Sequence, residues 1–274
     1  MIKVAFQGDR GAFSEDAAIK LFGESVDFLP CIRLRDVFQA VLEDEVSFGV
    51  VPIENSQAGS INETYDLLLA YPLNIYAEVI LRISHCLMAL PGENLADIRK
   101  VYSHPQALAQ CEEFLSKLEL EIVPGYDTAG SAKMIKGNQL EGCAAIASRR
   151  AADIYGLEIL ASEIENNINN YTKFFAISKR KAKPAERNKT SLVFTAKHVP
   201  GALYGILGIF ATRSINLTKL ESRPSKSKPW EYVFYVDFEG HLDGEVYQEA
   251  IKELQREATF VKILGSYPQA EPLS

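Results

Sequence analysis

The chain has 274 residues, of which 47% are hydrophobic and 24% charged, and its formal net charge is −7 at pH 7. That length holds one large domain or two ordinary ones, and that balance is normal for a globular protein with a substantial core. The acidic excess argues against nucleic acid as the main partner, while leaving room for a local positive patch toward a small anion.

In chain order, "IKVAFQG" reads as a buried strand ending at Gly8, and "GAFSEDAAIKLFG" as a helix with Ser14 as N-cap, Glu15 and Asp16 in its first turn and Gly23 as its stop. "RLRDVFQAVLEDE" predicts an amphipathic helix with Val37, Phe38, Val41 and Leu42 on one face. "SFGVVPIENS" predicts a short buried strand that stops at Pro52. "LNIYAEVILRISHCLMAL" reads as one or two long strands, and three strand-to-helix units follow. These are "IRKVYSHPQALAQCEEFLSKL", "LEIVPGYDTAGSAKMIKG" with Thr128 or Ser131 as cap, and "GCAAIASRRAADIYGL". Strands alternating with helices imply an α/β domain with a largely parallel sheet, and two similar halves imply two lobes around a cleft.

"ISKRKAKPAERNKTS" reads as a solvated, basic linker and a domain boundary. Beyond it come the strand "TSLVFTAKH", the helix "PGALYGILGIFATRS", a hairpin "INLTKLESRPSKSKPWEYVFYVDFEG" around a Ser/Lys/Pro turn, the helix "DGEVYQEAIKELQREA" and the strand "FVKILGSYP". That order, βαββαβ, is the ferredoxin-like plan.

Cys31, Cys86, Cys111 and Cys143 form no CxxC and no Cys/His set at zinc spacing, so they read as small apolar residues of a reduced protein. "MIKVAFQGDRG" has no apolar h-region, and the longest apolar stretch, "VPGALYGILGIFA", falls short of about 20 residues. A cytoplasmic protein without membrane contact is expected.

Four stretches carry polar groups where α/β proteins place ligands. "GDRGAFS" sets two glycines before a helix, which allows close backbone approach to an anion but lacks the Lys-Ser/Thr pair of a phosphate loop. "PIENS" clusters Glu54, Asn55 and Ser56, with a helix N-cap at Asn55 or Ser56 as the plain alternative. "SHPQA" offers Ser103, His104 and Gln106. In "NNYTKFF", Thr172 is by itself an ordinary strand residue and Lys173 an ordinary exposed charge. Neither a metal triad, a Ser-His-Asp elbow nor a nucleotide fingerprint is present. The residues alone indicate a small polar or anionic ligand and no cofactor.

Taken together, "GDRGAFS", "VPIENS", "SHPQALAQC", "NNYTKFF", "GAL" and "ESRP" resemble the prephenate dehydratase family, in order and spacing, over nearly the whole chain. The resemblance implies an α/β fold: a two-lobed, periplasmic-binding-protein-like catalytic domain over residues 1–180, with lobes at roughly 1–76 with 160–180 and at 77–159. It further implies a linker at 181–189, a ferredoxin-like ACT domain at 190–268 and a tail at 269–274. The implied reaction is prephenate to phenylpyruvate with loss of water and CO2, without metal or cofactor. The same chemistry on arogenate, giving L-phenylalanine, is the alternative, and a non-catalytic amino-acid sensor is a third reading.

By the same resemblance Thr172 is the catalytic residue, and Gly11, Ala12, Phe13, Ser14, Glu54, Asn55, Ser56, Ser103, His104, Gln106, Lys173 and Phe174 bind substrate. Glu54 reads equally as an acid or as a structural acceptor, and Phe174 as a wall. The family commonly has arginine where Lys173 stands, and lysine offers a point charge instead of a planar fork. For the effector L-phenylalanine the resemblance implies Gly201, Ala202, Leu203, Asn216, Leu217, Glu221, Ser222, Arg223 and Pro224, at a subunit interface of a homodimer or homotetramer.

Overall fold

The computed structural model describes residues 2–225 and 231–270. The turn expected between the two hairpin strands (226–230) and the end of the tail (271–274) lie outside the described residues. The elements run β1 (Lys3–Gln7), α1 (Phe13–Phe22), β2 (Asp27–Cys31), α2 (Leu34–Leu42), β3 (Phe48–Asn55), β4 (Gly59–Ser60), α3 (Asn62–Ala70), β5 (Asn74–Arg82), β6 (Cys86–Ala89) and β7 (Lys100–Ser103). They continue with α4 (Pro105–Gln110), α5 (Glu112–Leu115), β8 (Glu121–Pro124), α6 (Thr128–Asn138), β9 (Cys143–Ala147), α7 (Arg149–Tyr155), β10 (Glu158–Ser162) and β11 (Tyr171–Ser178). Last come β12 (Asn188–Thr195), α8 (Ala202–Ala211), β13 (Leu217–Pro224), β14 (Tyr232–Glu239), α9 (Glu245–Glu257) and β15 (Phe260–Pro268).

The chain divides into two compact units, Met1–Thr64 with Val79–Phe174, and Tyr65–Glu78 with Phe175–Ser274. The first contains β1, β2 and β3 in the order β2-β1-β3, extended by β11 and β5, which each cross the division along the chain. It also contains a five-stranded sheet, β10-β6-β9-β7-β8. The expected parallel pairing holds for β1 with β2 and β3, and for β7 with β8 and β9. β4, β6 and β10 depart from it and pair antiparallel.

The sequence of β6, "CLMA", shows why the second sheet is buried on both faces. Cys86 and Met88 pack among Ala129, Ala132, Ala145 and Ala151, whereas Leu87 and Ala89 pack on the other face with Ile98, Val101 and Leu108. An unbroken apolar run is the signature of a strand with helices on both sides. Alanines on α6 and α7 keep those helices close to the sheet.

Three local expectations change. β3 continues through Pro52 to Asn55, so "PIENS" is a strand end and not a helix start. α1 begins two residues earlier than expected, with Ala12 at the cap position, and Ser14 is a buried first-turn residue. The cap of α6 is Asp127, whose carboxylate accepts from Gly130 N–H, and not Thr128 or Ser131.

The second unit carries an antiparallel sheet β13-β14-β12-β15 with α8 and α9, the βαββαβ order expected. Its core joins Leu192, Phe194, Val236 and Phe238 of the sheet to Ile206, Ile209 and Phe210 of α8 and to Ala250, Ile251 and Leu254 of α9. Residues 65–78 belong to this unit. Tyr235 Oη donates to Tyr65 O at 3.1 Å, and Lys262 Nζ donates to Leu68 O, Leu69 O and Tyr71 O at 2.8, 2.9 and 2.6 Å. That ammonium satisfies the carbonyls an α3 C-terminus leaves open. Among the described residues all four cysteines are free, and no helix is long and apolar enough to cross a membrane.

Candidate active site

A cleft of about 190 Å³ opens in the first unit, where the C-terminal ends of β1 and β3 meet the starts of three helices. Gln7 and Gly8 come from β1 and its loop, and Ala12, Phe13 and Ser14 from the start of α1. His104, Gln106 and Ala107 come from the start of α4, and Tyr126, Asp127 and Thr128 from the entry to α6. Asn55, His85, Gln110, Thr172 and Phe174 complete the wall. The first N–H groups of a helix have no intrahelical acceptor, and α1 and α6 therefore present donors and a positive dipole end to this space.

The loop before α1 is pinned. Gly11 has φ +87°, and a Cβ there would lie 2.7 Å from Ala151 Cα. Its N–H donates to the buried Glu15 carboxylate at 2.5 Å, and its carbonyl accepts from Ser148 Oγ at 2.6 Å. Gly11 thus holds the loop against α7 and is not itself part of the cleft wall.

Thr172 is nearly buried, and its hydroxyl belongs to a closed hydrogen-bond circuit. Asn55 Oδ1 accepts from Gln57 N–H at 3.0 Å and Ala58 N–H at 2.9 Å, which fixes the orientation of the amide. Asn55 Nδ2 must then donate, to Asn170 Oδ1 at 2.8 Å and to Thr172 Oγ1 at 2.9 Å. Asn170 Nδ2 donates in turn to Gln110 Oε1 at 3.0 Å, and His85 Nε2 stands 3.0 Å from the same oxygen. That oxygen can only accept, so His85 Nε2 carries a proton. His85 Nδ1 is buried without a partner, and burial lowers the His85 pKa although the bond to Gln110 opposes this; the ring is neutral. The circuit makes Thr172 Oγ1 an acceptor toward Asn55, and its own proton remains to be donated into the cleft.

The period of a strand separates the residues of "TKFF". Thr172 and Phe174 line the cleft, whereas Lys173 does not and sits with Nζ 3.3 Å from Glu54 Oε2. Ser56 also lies off the cleft, where its Oγ donates to Asn169 O at 3.1 Å and accepts from Tyr171 N–H at 2.9 Å. Ser103 is fully buried and donates to Ile146 O at 2.6 Å. Of the residues named from sequence, the cleft collects Ala12, Phe13, Ser14, Asn55, His104, Gln106, Thr172 and Phe174. It leaves out Gly11, Glu54, Ser56, Ser103 and Lys173. Lys173→Arg and Glu54→Gln are accordingly expected to change kcat/KM by less than about 5-fold, since the pair lies outside the cleft and is partly open to solvent. Steady-state kinetics on the purified variants measures this.

Sequence reasoning missed His85, Gln110, Asp127 and Asn170. The available signals were a histidine inside the apolar run "ISHCLMA" and an asparagine two positions before Thr172, on the same strand face.

In the second unit the two motifs named for an effector are spread out. Gly201, Ala202 and Leu203 border a hollow of about 550 Å³ at the start of α8. Leu217 borders another of about 400 Å³, and Arg223 and Pro224 a third of about 570 Å³. Asn216 Nδ2 donates to Glu239 at 3.1 Å, Glu221 pairs with Lys219 at 3.1 Å, Arg223 pairs with Asp66 at 3.2 Å, and Ser222 is exposed opposite Phe234.

Comparison with known proteins places this geometry. The prephenate dehydratase family model matches residues 4–182, and the ACT domain model matches residues 190–256. Arogenate dehydratase/prephenate dehydratase 2 of Arabidopsis thaliana, a chloroplastic protein, is 46% identical over 278 residues, which is 97% of this chain and 73% of that one. The crystal structure of prephenate dehydratase from Arthrobacter aurescens in complex with L-Phe superposes with a TM-score of 0.89 at 32% identity, covering 100% of this chain and 92% of that one. A structure described as GqqA, a novel type of quorum quenching acylase, superposes with a TM-score of 0.88 at 35% identity, covering 98% of both chains. The cleft with its buried threonine lies wholly inside the first matched segment, and the chain belongs to the prephenate dehydratase family of carbon–oxygen lyases, with an ACT domain at its C-terminal end.

Proposed function

We propose that this chain removes water and CO2 from prephenate to give phenylpyruvate, with Thr172 as the proton donor and L-phenylalanine as the regulator. The observation that carries the reading is the Thr172 hydroxyl, which accepts from Asn55 Nδ2 on the cleft wall and keeps its own proton to donate there. In the reaction the bond between the ring and its carboxylate breaks, and its electron pair enters the ring. The ring C4–O bond breaks in turn, and the oxygen leaves as water with the proton supplied by Thr172, which recovers one from solvent. A donor held in place before the reaction needs no reorganisation as charge develops on the leaving oxygen. The N-terminal N–H groups of α1 and α6 suit the substrate carboxylates.

Acyl transfer is the chemistry named for one structural neighbour, and a hydroxyl nucleophile for it needs an adjacent base. Thr172 has an amide there; His85 is tied to Gln110, and His104 Nδ1 accepts from Gln106 N–H at 3.2 Å. The arrangement therefore favours proton donation over nucleophilic attack. A non-catalytic sensor is separated from the enzyme by turnover itself.

The proposal assigns residues 1–180 to catalysis, 181–189 to a linker and 190–268 to regulation. It includes a cytoplasmic location and a homodimer or homotetramer; the 201–203 motif and the pair Arg223 and Pro224 border different hollows in one chain, and a second copy can complete a pocket between them. Purified protein is expected to form phenylpyruvate from prephenate. L-phenylalanine is expected to lower that rate and to raise Tm, since a ligand at about 100 times its Kd stabilises by about 2.7 kcal/mol. Unchanged rate and melting in saturating phenylalanine remove the regulatory part, and no turnover of prephenate or of arogenate removes the catalytic part.

A further inference from the structure

We propose that Asp127 selects the α-amino-acid form of the substrate over its α-keto-acid form by receiving the substrate's ammonium group. This rests on the dehydratase reading above and names the substrate class of that same cleft. Asp127 supplies the only carboxylate on the cleft wall, and no lysine or arginine lines it, among the described residues. The two histidines on the wall do not offset that charge, because burial lowers the pKa of both. The wall is therefore acidic, and a net-dianionic keto acid is repelled by it more than an amino acid whose ammonium cancels one of the two carboxylates.

The carboxylate is held in place and still has acceptor capacity. Asp127 Oδ2 accepts from Asp9 N–H at 3.2 Å, and Oδ1 accepts from Gly130 N–H. A carboxylate oxygen has two lone pairs, so each oxygen keeps room for a further donor. Thr128, the next residue, opens the 11-residue helix α6 and borders the same space. An anionic hydrogen-bond acceptor and a helix start one residue apart match an α-amino-acid head, with ammonium on the carboxylate and carboxylate on the N–H groups. A keto oxygen in the ammonium position faces an acceptor with an acceptor and gains nothing. Burial also pushes the Asp127 carboxyl up, and a bound cation offsets that cost.

The test is kcat/KM on arogenate and on prephenate for the wild type, Asp127→Asn and Asp127→Ser. Both replacements can still cap α6, and the serine variant avoids an amide facing Asp9 N–H, so one of the two reports even if the other misfolds. The wild type is expected to prefer arogenate. In the variants the value for arogenate is expected to fall about 10- to 100-fold more than that for prephenate, the worth of a hydrogen bond to a charged group. Equal losses on both substrates reduce Asp127 to a cap and overturn the proposal. A wild type that turns over prephenate and not arogenate overturns it as well, while the dehydratase reading stands. Failure on both substrates removes the dehydratase reading and this proposal with it.

Discussion

Thr172→Ala is expected to lower kcat about 100- to 10,000-fold, the usual effect of removing a positioned proton donor, with KM changed by less than about 5-fold. The argument is one of donor counting. Asn55 Nδ2 has two hydrogens and three acceptors nearby, namely Asn170 Oδ1, Thr172 Oγ1 and Tyr171 O, the last at 3.2 Å. Losing the threonine oxygen leaves the amide satisfied, so the fold should lose no more than about 1 kcal/mol. The cleft loses the hydroxyl that the Asn55 amide holds on its wall. Thr172→Ser keeps that hydroxyl on a freer rotor and should retain activity within about 10-fold of wild type. Circular dichroism melting beside steady-state kinetics separates the two effects. An alanine variant with normal kcat and an unchanged melt would exclude Thr172 as the proton donor.

What the sequence shows of this site depends on how far apart its parts lie along the chain. Thr172 and Phe174 share a face because strand side chains alternate, and that period is readable from "TKFF" alone. Which face is the cleft is not readable, because it depends on the position of Glu54 and Asn55, more than 110 residues away. Lys173 therefore keeps two readings in sequence and has one in the structure, a partner of Glu54. The circuit behind Thr172 is harder still, since Asn170, Gln110 and His85 meet only when separate segments fold together. The fold itself is more legible, because the apolar runs of β6 and β9 and the βαββαβ order after residue 188 follow from local pattern. Pairing direction is not local: nothing in "CLMA" or "EILAS" states that these strands run antiparallel.

Lys189 is a case where local pattern misleads, and it sets the largest expected stability loss. In sequence it closes a basic, polar run that reads as solvated. In the structure it is the second residue of β12, its side chain is 7% exposed, and its Nζ lies 2.7 and 2.9 Å from both oxygens of Glu78, which is 1% exposed. Glu78 Oε1 also accepts from Ala270 N–H at 2.9 Å. Lys189→Met leaves a buried carboxylate with one backbone donor in place of a cation. Breaking one side of such a pair costs about 3–5 kcal/mol, which corresponds to a Tm lower by about 12–20 °C for a unit of this size. Glu78→Met should cost a similar amount by stranding the ammonium. The double replacement removes both charges and both desolvation costs, so it should be more stable than either single variant, with a coupling of at least about 2 kcal/mol in the cycle. Thermal melting of the four proteins reads this directly. Additive losses in the double variant would mean that each side chain is held by its own packing, and that the pair carries no mutual stabilisation.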